Sequence, residues 1–308
     1  MRRIFAALCA VVLLLSGCAR AESAASRQIF AMDTVMSLQV WGGDGEKALD
    51  QAQAAVYALE QQWSSTRAGS VVDRLNRQEA LTEQEQAAVE RITALSERTG
   101  GAFNPRLHSL TELWGFPTQQ YYVPTAEEIA QAMEQQDWDF GAAMKGYTGQ
   151  VLADLMKELG VDRAILNLGG NVQTMGSKPD GAPWQVGIQD PEGDGYLAVV
   201  QVEGTTSVVT SGSYQRYFEQ DGVVYHHILD PETGAPAESG LRSVTIICRD
   251  GLSADCLSTA LFVLGVEKGT ELWRNSDDFE AVFLTEDGKI LATQGVTLTG
   301  CSYETISR

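Results

Sequence analysis

The chain has 308 residues, 44% hydrophobic and 20% charged, an ordinary globular composition with enough apolar residues for a sizeable core. With 41 acidic against 22 basic residues and a formal net charge of −19, it lacks the basic face of a nucleic-acid binder and the polybasic patch of a membrane-surface protein. Function must then lie in a local site, where an anionic ligand would need a metal or a helix N-terminus to offset the surrounding charge.

The N-terminus reads as a targeting segment. Met1-Arg2-Arg3 is a positive stretch, and 4–15 is an apolar run too short to span a bilayer comfortably. Leu15-Ser16-Gly17-Cys18 follows and resembles the bacterial lipobox, in which the Cys is lipidated and the chain is cut just before it. This divides the chain into a signal peptide (1–17), a small, polar tether (18–27) hung from Cys18, and a folded part (28–308). The expected location is the extracytoplasmic side of a bacterial cell membrane, held by the lipid anchor.

In the folded part, 28–41 alternates and is β-rich, as one long strand or a strand pair. Ala48, Ala52, Ala55, Val56, Leu59 and Trp63 have helical spacing. Thr82-x-x-Glu85 and Thr125-x-x-Glu128 are capping-box patterns, each opening a helix. A further helix runs over 146–159. From Arg163 the period changes, and short β-like runs occupy 163–167, 184–189, 196–202, 206–210, 214–219, 223–228 and 243–248. Helices over 253–264 and 267–275 and strands near 280–285, 289–293 and 296–299 complete the chain. Helices dominate the first half and strands the second, which predicts one intertwined α+β domain rather than a βαβ array. Cys248, Cys256 and Cys301 remain in the folded part without CxxC or zinc spacing, so no disulfide framework is expected, and Cys248 and Cys256 read as buried thiols.

Several segments have chemical potential. Asp255 and Thr259, four apart, share one helix face as hard oxygen donors suited to Mg²⁺; the same pair could be a helix-terminus charge and a hydroxyl bonded back to a carbonyl. His226 and His227 end a strand before Asp230-Pro231, so one ring should point each way, and either a proton-transfer group or a turn would use them. Lys145, beside Gly141 and Gly146 at a helix start, could meet an anion or simply be solvated. Gly169-Gly170 allows close backbone approach or a turn. The aromatics of 101–116 could stack on a flat ring or fill the core.

Taken in order, these segments resemble the ApbE family of FAD:protein FMN transferases. The residues are Met32-Asp33-Thr34, Ser64-Ser65-Thr66-Arg67, Leu75-Asn76, Phe103-Asn104-Pro105, Leu113-Trp114-Gly115-Phe116, the run 141–147, Gly169-Gly170, 210–214, His227 to Pro231, Thr233-Gly234, and Asp255 with Thr259. The resemblance spans about 28–300. It implies a T-fold-like α+β domain with mixed and antiparallel sheets. It also implies Mg²⁺-dependent cleavage of FAD, with release of AMP and attachment of FMN through a phosphoester to a Thr or Ser hydroxyl of an acceptor flavoprotein. Acceptors in the family are membrane electron-transport subunits and secreted flavoproteins. By the same resemblance, Asp255, Thr259 and the Ala142 carbonyl hold Mg²⁺. Met32, Leu113, Trp114, Gly115, Lys145 and Leu229 contact FAD. His227 is the proton-transfer candidate, with Asp255 as the other possible base. Hydrolysis of FAD to FMN and AMP, or flavin binding without chemistry, are the competing functions. The chain departs from the family pattern at Thr66 (often Tyr), Asp33 (often Gly), Asn104 and Asn171 (often Asp) and Gln150 (often Asp).

Overall fold

A computed structural model describes residues 23–308. The signal peptide and Cys18 lie outside the described residues. The first strand starts at Ala25, so the end of the expected tether is already part of the sheet.

The N-terminal segment is a strand pair, β1 (Ala25–Ala31) and β2 (Thr34–Trp41), joined at Met32-Asp33. Both turn residues have positive φ, 50° and 58°, which is what a two-residue hairpin needs to match strand twist. Then come α1 (Gly45–Gln62), α2 (Val71–Asn76), α3 (Glu83–Arg98), α4 (His108–Leu113), α5 (Ala126–Met133) and α6 (Met144–Glu158). Both expected capping boxes form: Thr82 with Glu85 at α3, and Thr125 with Glu128 at α5. Strands follow as β3 (Arg163–Asn167), β4 (Asn171–Met175), β5 (Trp184–Gln189), β6 (Tyr196–Val202), β7 (Thr206–Gly212), β8 (Tyr217–Gln220), β9 (Val223–His226) and β10 (Leu241–Cys248). The chain ends with α7 (Gly251–Arg274), β11 (Phe279–Thr285), β12 (Ile290–Thr293), β13 (Leu298–Thr299) and β14 (Glu304–Ile306). The two helices expected between 253 and 275 are one element broken at Gly265, whose φ of 74° no other residue type adopts cheaply. Four short elements went unforeseen: α2, α4, β4 and β14. The run expected over 214–219 is a turn to Arg216 before β8.

The architecture is a nine-stranded sheet in the order β1-β2-β3-β4-β7-β10-β11-β12-β14, antiparallel except for the β12/β14 pair. Strand alternation assigns its two faces. Val209, Ile246, Ala281 and Phe283 face the helices, with α3 and α7 packed over them. Ala164 and Leu166 sit under α1 and α6. The neighbouring residues Ile165, Val208, Ile247, Val282 and Leu284 face the other way, onto a three-stranded sheet, β13-β6-β5. The result is three layers of helices, large sheet and small sheet, which is the expected α+β domain. The hairpin β8–β9 stands apart and packs with α4 and α5 in a fourth apolar cluster. Cys248 and Cys256 are buried free thiols, and Cys301 is half-buried and free.

Candidate active site

The site forms where the first turns of α6 and α7 cross. The two helices touch backbone to backbone through glycines. A Cβ on Gly146 would lie 2.1 Å from the Gly251 carbonyl oxygen and 2.6 Å from Asp255 Cβ, and one on Gly251 would lie 2.4 Å from the Gly146 oxygen. Only glycine permits this approach, which sets Lys145 and the 141–143 turn beside the start of α7.

The crossing bears on the alternatives left open by spacing. Asp250, not Asp255, caps α7, accepting from the Ser253 N–H at 2.8 Å. Asp255 is 4% exposed, and its Oδ2 accepts from the Gly146 N–H at 2.7 Å. Gly146 is the third residue of α6, so its N–H is one of the donors that a helix start leaves without an intrahelical partner, and the Ala142 carbonyl, ahead of the Ala143 cap, lies outside the helical ladder. The back-bonding hydroxyl on this face is Ser258, which donates to the Asp255 carbonyl at 2.8 Å, so Thr259 does not take that role. Thr259 Oγ1 lies instead 3.4 Å from Ser211 Oγ on β7.

Asp255 is a buried carboxylate, and burial makes its charge costly to the fold. Burial pushes its pKa up, against the lowering effects of the Lys145 charge, the Asn171 side chain and the Gly146 N–H. Asn171, on β4, reaches the carboxylate's neighbourhood, yet its buried Nδ2 makes no hydrogen bond of ordinary geometry. A buried carboxylate without a full set of partners, a carbonyl ahead of the helix cap, a hydroxyl and an unspent amide form a set of hard donors suited to a small divalent cation. Among the described residues no three His, Cys, Asp or Glu side chains cluster as a metal site, so a cation here would carry one carboxylate and leave positions for water or phosphate oxygens. With Asn at 171 the chain has one carboxylate fewer here than the family pattern often supplies. Gln150, another departure, accepts from the Gly251 N–H at 3.3 Å and braces the start of α7.

The opposite wall holds the histidines. His226 and His227 do face different ways. His226 packs edge-on against Phe262 of α7 and bonds the Ala237 carbonyl through Nε2 at 3.2 Å. His227 packs edge-on against Phe116, and its Nδ1 lies 3.2 Å from the Arg216 carbonyl. A carbonyl can only accept, so Nδ1 carries the proton and Nε2 presents its lone pair. The expected near-neutral pKa is not what the structure supports. Burial, then the Arg216 charge, with smaller contributions from His226 and Lys145, pushes His227 down to about 3, although one edge of the ring stays accessible. The ring is therefore neutral at pH 7, and it is a weaker base than an ordinary imidazole. The turn reading also holds, since Asp230 accepts from the Glu232 and Gly234 N–H groups. The third histidine, His108, lies on α4 beside Glu112 and Asp139.

The residues assigned to flavin contact divide into two groups. Met32 sits at the β1–β2 turn, its N–H donating to Glu60 at 2.5 Å and its Sδ 3.9 Å from Thr148 Oγ1 of α6. Trp114 and Leu229 are buried in the apolar cluster, with Leu113 partly buried against them, and Gly115 closes the loop against Gln120. Trp114 is 2% exposed and donates Nε1–H to the Gly234 carbonyl at 2.9 Å, so its ring is core rather than a free stacking platform. Tyr121, stacked on Phe218 at 4.8 Å, is the exposed aromatic of that cluster. Arg216, 3.9 Å from Asp33, ties the Met32 turn to the strand that carries Phe218. Gly169 lies directly under Thr34, and the Asn167 side chain accepts from both glycine N–H groups of the 169–170 turn. Spacing did not reveal Asn171 or Ser211, because each meets the site only through strand pairing far along the chain.

This arrangement matches known proteins over nearly its whole length. The ApbE family covers residues 32–283. The chain is 32% identical to the FAD:protein FMN transferase of Treponema pallidum, across 88% of this chain and 87% of that one. It is 30% identical to that of Escherichia coli K12, across 85% and 84%. Among solved structures, the ApbE protein from Thermotoga maritima superposes with a TM-score of 0.82 at 30% identity, covering 89% of this chain and 98% of that one. The apo flavinyl transferase ApbE of Pseudomonas stutzeri gives 0.74 at 32% identity, covering 90% and 94%. This chain belongs to the ApbE family.

Proposed function

We infer that the chain is an FAD:protein FMN transferase, cleaving the FAD pyrophosphate, releasing AMP and joining FMN to a Thr or Ser hydroxyl of an acceptor flavoprotein. The observation that supports this most directly is the oxygen-donor set at the α6–α7 crossing, Asp255, Thr259 and the Ala142 carbonyl, with Lys145 beside it. Mg²⁺ held there would neutralise the pyrophosphate charge, which is most of what phosphoryl transfer asks of a protein. Lys145 binds the phosphates in an otherwise acidic molecule. His227 Nε2 accepts the proton of the attacking hydroxyl as the new phosphorus–oxygen bond forms and the bond to AMP breaks. Met32 and the loop from Leu113 to Gly115 with Leu229 border the flavin from two sides.

Incubating the protein with FAD, Mg²⁺ and an acceptor domain tests the reading. Flavin fluorescence carried by the acceptor through denaturing electrophoresis is the expected result. Free FMN without labelled acceptor would mean hydrolysis, and neither product would mean binding alone; both outcomes overturn transfer. The acceptor class proposed is membrane electron-transport subunits or secreted flavoproteins, met on the extracytoplasmic face. Cys18 supports that location through its lipobox context. Cys18→Ala should release an active protein from membranes, and tight membrane retention of that variant would refute the anchor.

A further inference from the structure

The hydroxyls around Thr259 form a chain whose direction can be read from its end. Ser258 Oγ donates to the Asp255 carbonyl at 2.8 Å, and a carbonyl only accepts, so the one Ser258 proton is committed. Ser211 Oγ lies 2.7 Å from Ser258 Oγ. Ser211 must be the donor there, which commits its proton in turn. Its remaining neighbour, Thr259 Oγ1 at 3.4 Å, then meets only Ser211 lone pairs and must donate to them. The order is Thr259 to Ser211 to Ser258 to the Asp255 backbone. Ser211 belongs to β7 and pairs with Val244 in the ladder, so the relay ties α7, which holds the site, to the central sheet.

We propose that Ser211 is a positioning residue for the cation site: by taking the Thr259 proton into the Ser211–Ser258 relay, it turns the Thr259 lone pairs outward to a divalent cation. The inference rests on the Mg²⁺ reading above. A hydroxyl can ligate a cation only through its lone pairs, and a freely rotating one presents its proton part of the time. Fixing the rotor favours the ligating orientation before the ion arrives. It also carries the developing positive charge on the Thr259 proton away from the cation, because each hydrogen bond in the chain polarises the next.

The test is Mg²⁺ affinity, measured by calorimetric titration of the purified full-length protein in detergent with Mg²⁺ alone, beside its metal-free melting temperature. Ser211→Ala should raise the Mg²⁺ Kd about tenfold, in the range that partners of metal ligands command. Ser211→Thr, which keeps the hydroxyl, should restore most of the affinity. In a Thr259→Ala background, Ser211→Ala should change the Kd less than twofold, because the ligand it orients is gone. Wild-type affinity in Ser211→Ala, a lowered melting temperature with unchanged Kd, or a full additional loss in the Thr259→Ala background would each overturn the proposal. A wild-type protein that takes up no Mg²⁺ would instead overturn the metal reading beneath it, and this proposal with it.

Discussion

The two walls of the site are built by different means. At the α6–α7 crossing, position is fixed by backbone: two glycines in contact, a helix-start N–H bonded to Asp255, and a capping Asp250 at the start of α7. At the His227 wall, position is fixed by side chains. Trp114, Phe116, Phe218 and Tyr225 stack between a loop and a hairpin, and Tyr121 and Tyr217 remain exposed at the rim. Backbone contact cannot relax without separating the helices, whereas an aromatic cluster can lose or exchange a ring and repack. In the proposed reaction, the charge-holding groups would be on the stiff wall and the groups bordering flavin and acceptor on the adjustable one.

That contrast predicts where damage is greatest. Gly146→Ala should be the most harmful single change. Its methyl group would enter the Gly251 carbonyl, forcing the helices apart at a cost of about 3 kcal/mol in urea unfolding and dispersing the donor set, with no detectable transfer. A Gly146→Ala protein of normal stability and turnover would show that the crossing is not rigid.

Asp255→Asn should separate catalysis from stability on the same wall. Transfer should fall on the order of 10²–10³-fold, as when a principal charge-stabilising group is removed. The metal-free protein should not be destabilised at neutral pH. Burial raises the folded pKa of Asp255 above its unfolded value, so its ionised form opposes folding above that value and a neutral amide removes the opposition. Mg²⁺-dependent melting shifts should vanish in the variant. A large fall in metal-free melting temperature would place Asp255 among structural residues instead.

On the adjustable wall, His227→Ala should slow transfer about 10²-fold, at the low end for general bases because the imidazole is a weak one. The pH profile is the sharper measurement. With its folded pKa depressed to about 3, His227 stays neutral in the native protein as pH falls below 6.5, while the unfolded chain takes up its proton. Wild-type stability should therefore decline from about pH 6.5 downward, and the His227→Ala protein should lose part of that decline. A rate inflection near pH 6.5 that disappears in His227→Ala would contradict the depressed value. The smallest effect belongs to Trp114→Phe, which drops the hydrogen bond to Gly234 but keeps a ring. It should cost about 1 kcal/mol and leave FAD affinity nearly unchanged, as measured by thermal unfolding and flavin fluorescence titration.

What was legible in the sequence follows the same division. Local patterns carried far: both capping boxes formed, and the four-residue spacing of Asp255 and Thr259 put them on one face. The strands expected over 243–248 and 280–285 formed as β10 and β11. The one- to two-turn helices α2 and α4 present too few turns for a helical period to register, and the polar β4 lacks the apolar run that marked β3 and β5. The site's finer arrangement depends on partners far apart in sequence, as with Gly146 and Gly251, Asn171 and Asp255, or Ser211 and Thr259. Neither the proton position on His227 nor its depressed pKa could be foreseen, since both come from Arg216 and from burial created by the hairpin.

The hydrogen bond from Gly146 to Asp255 has a spectroscopic consequence. A backbone amide bonded to a carboxylate reports the electron density of that oxygen through its proton chemical shift, and glycine amides are easily labelled and recognised. Gly146 is thus a built-in probe attached directly to Asp255. In ¹⁵N-glycine spectra one resonance should move with acid as Asp255 takes up its proton, and the same resonance should move when a cation draws on the other carboxylate oxygen. Occupancy of the site could then be followed in the resting protein, with neither flavin nor acceptor present.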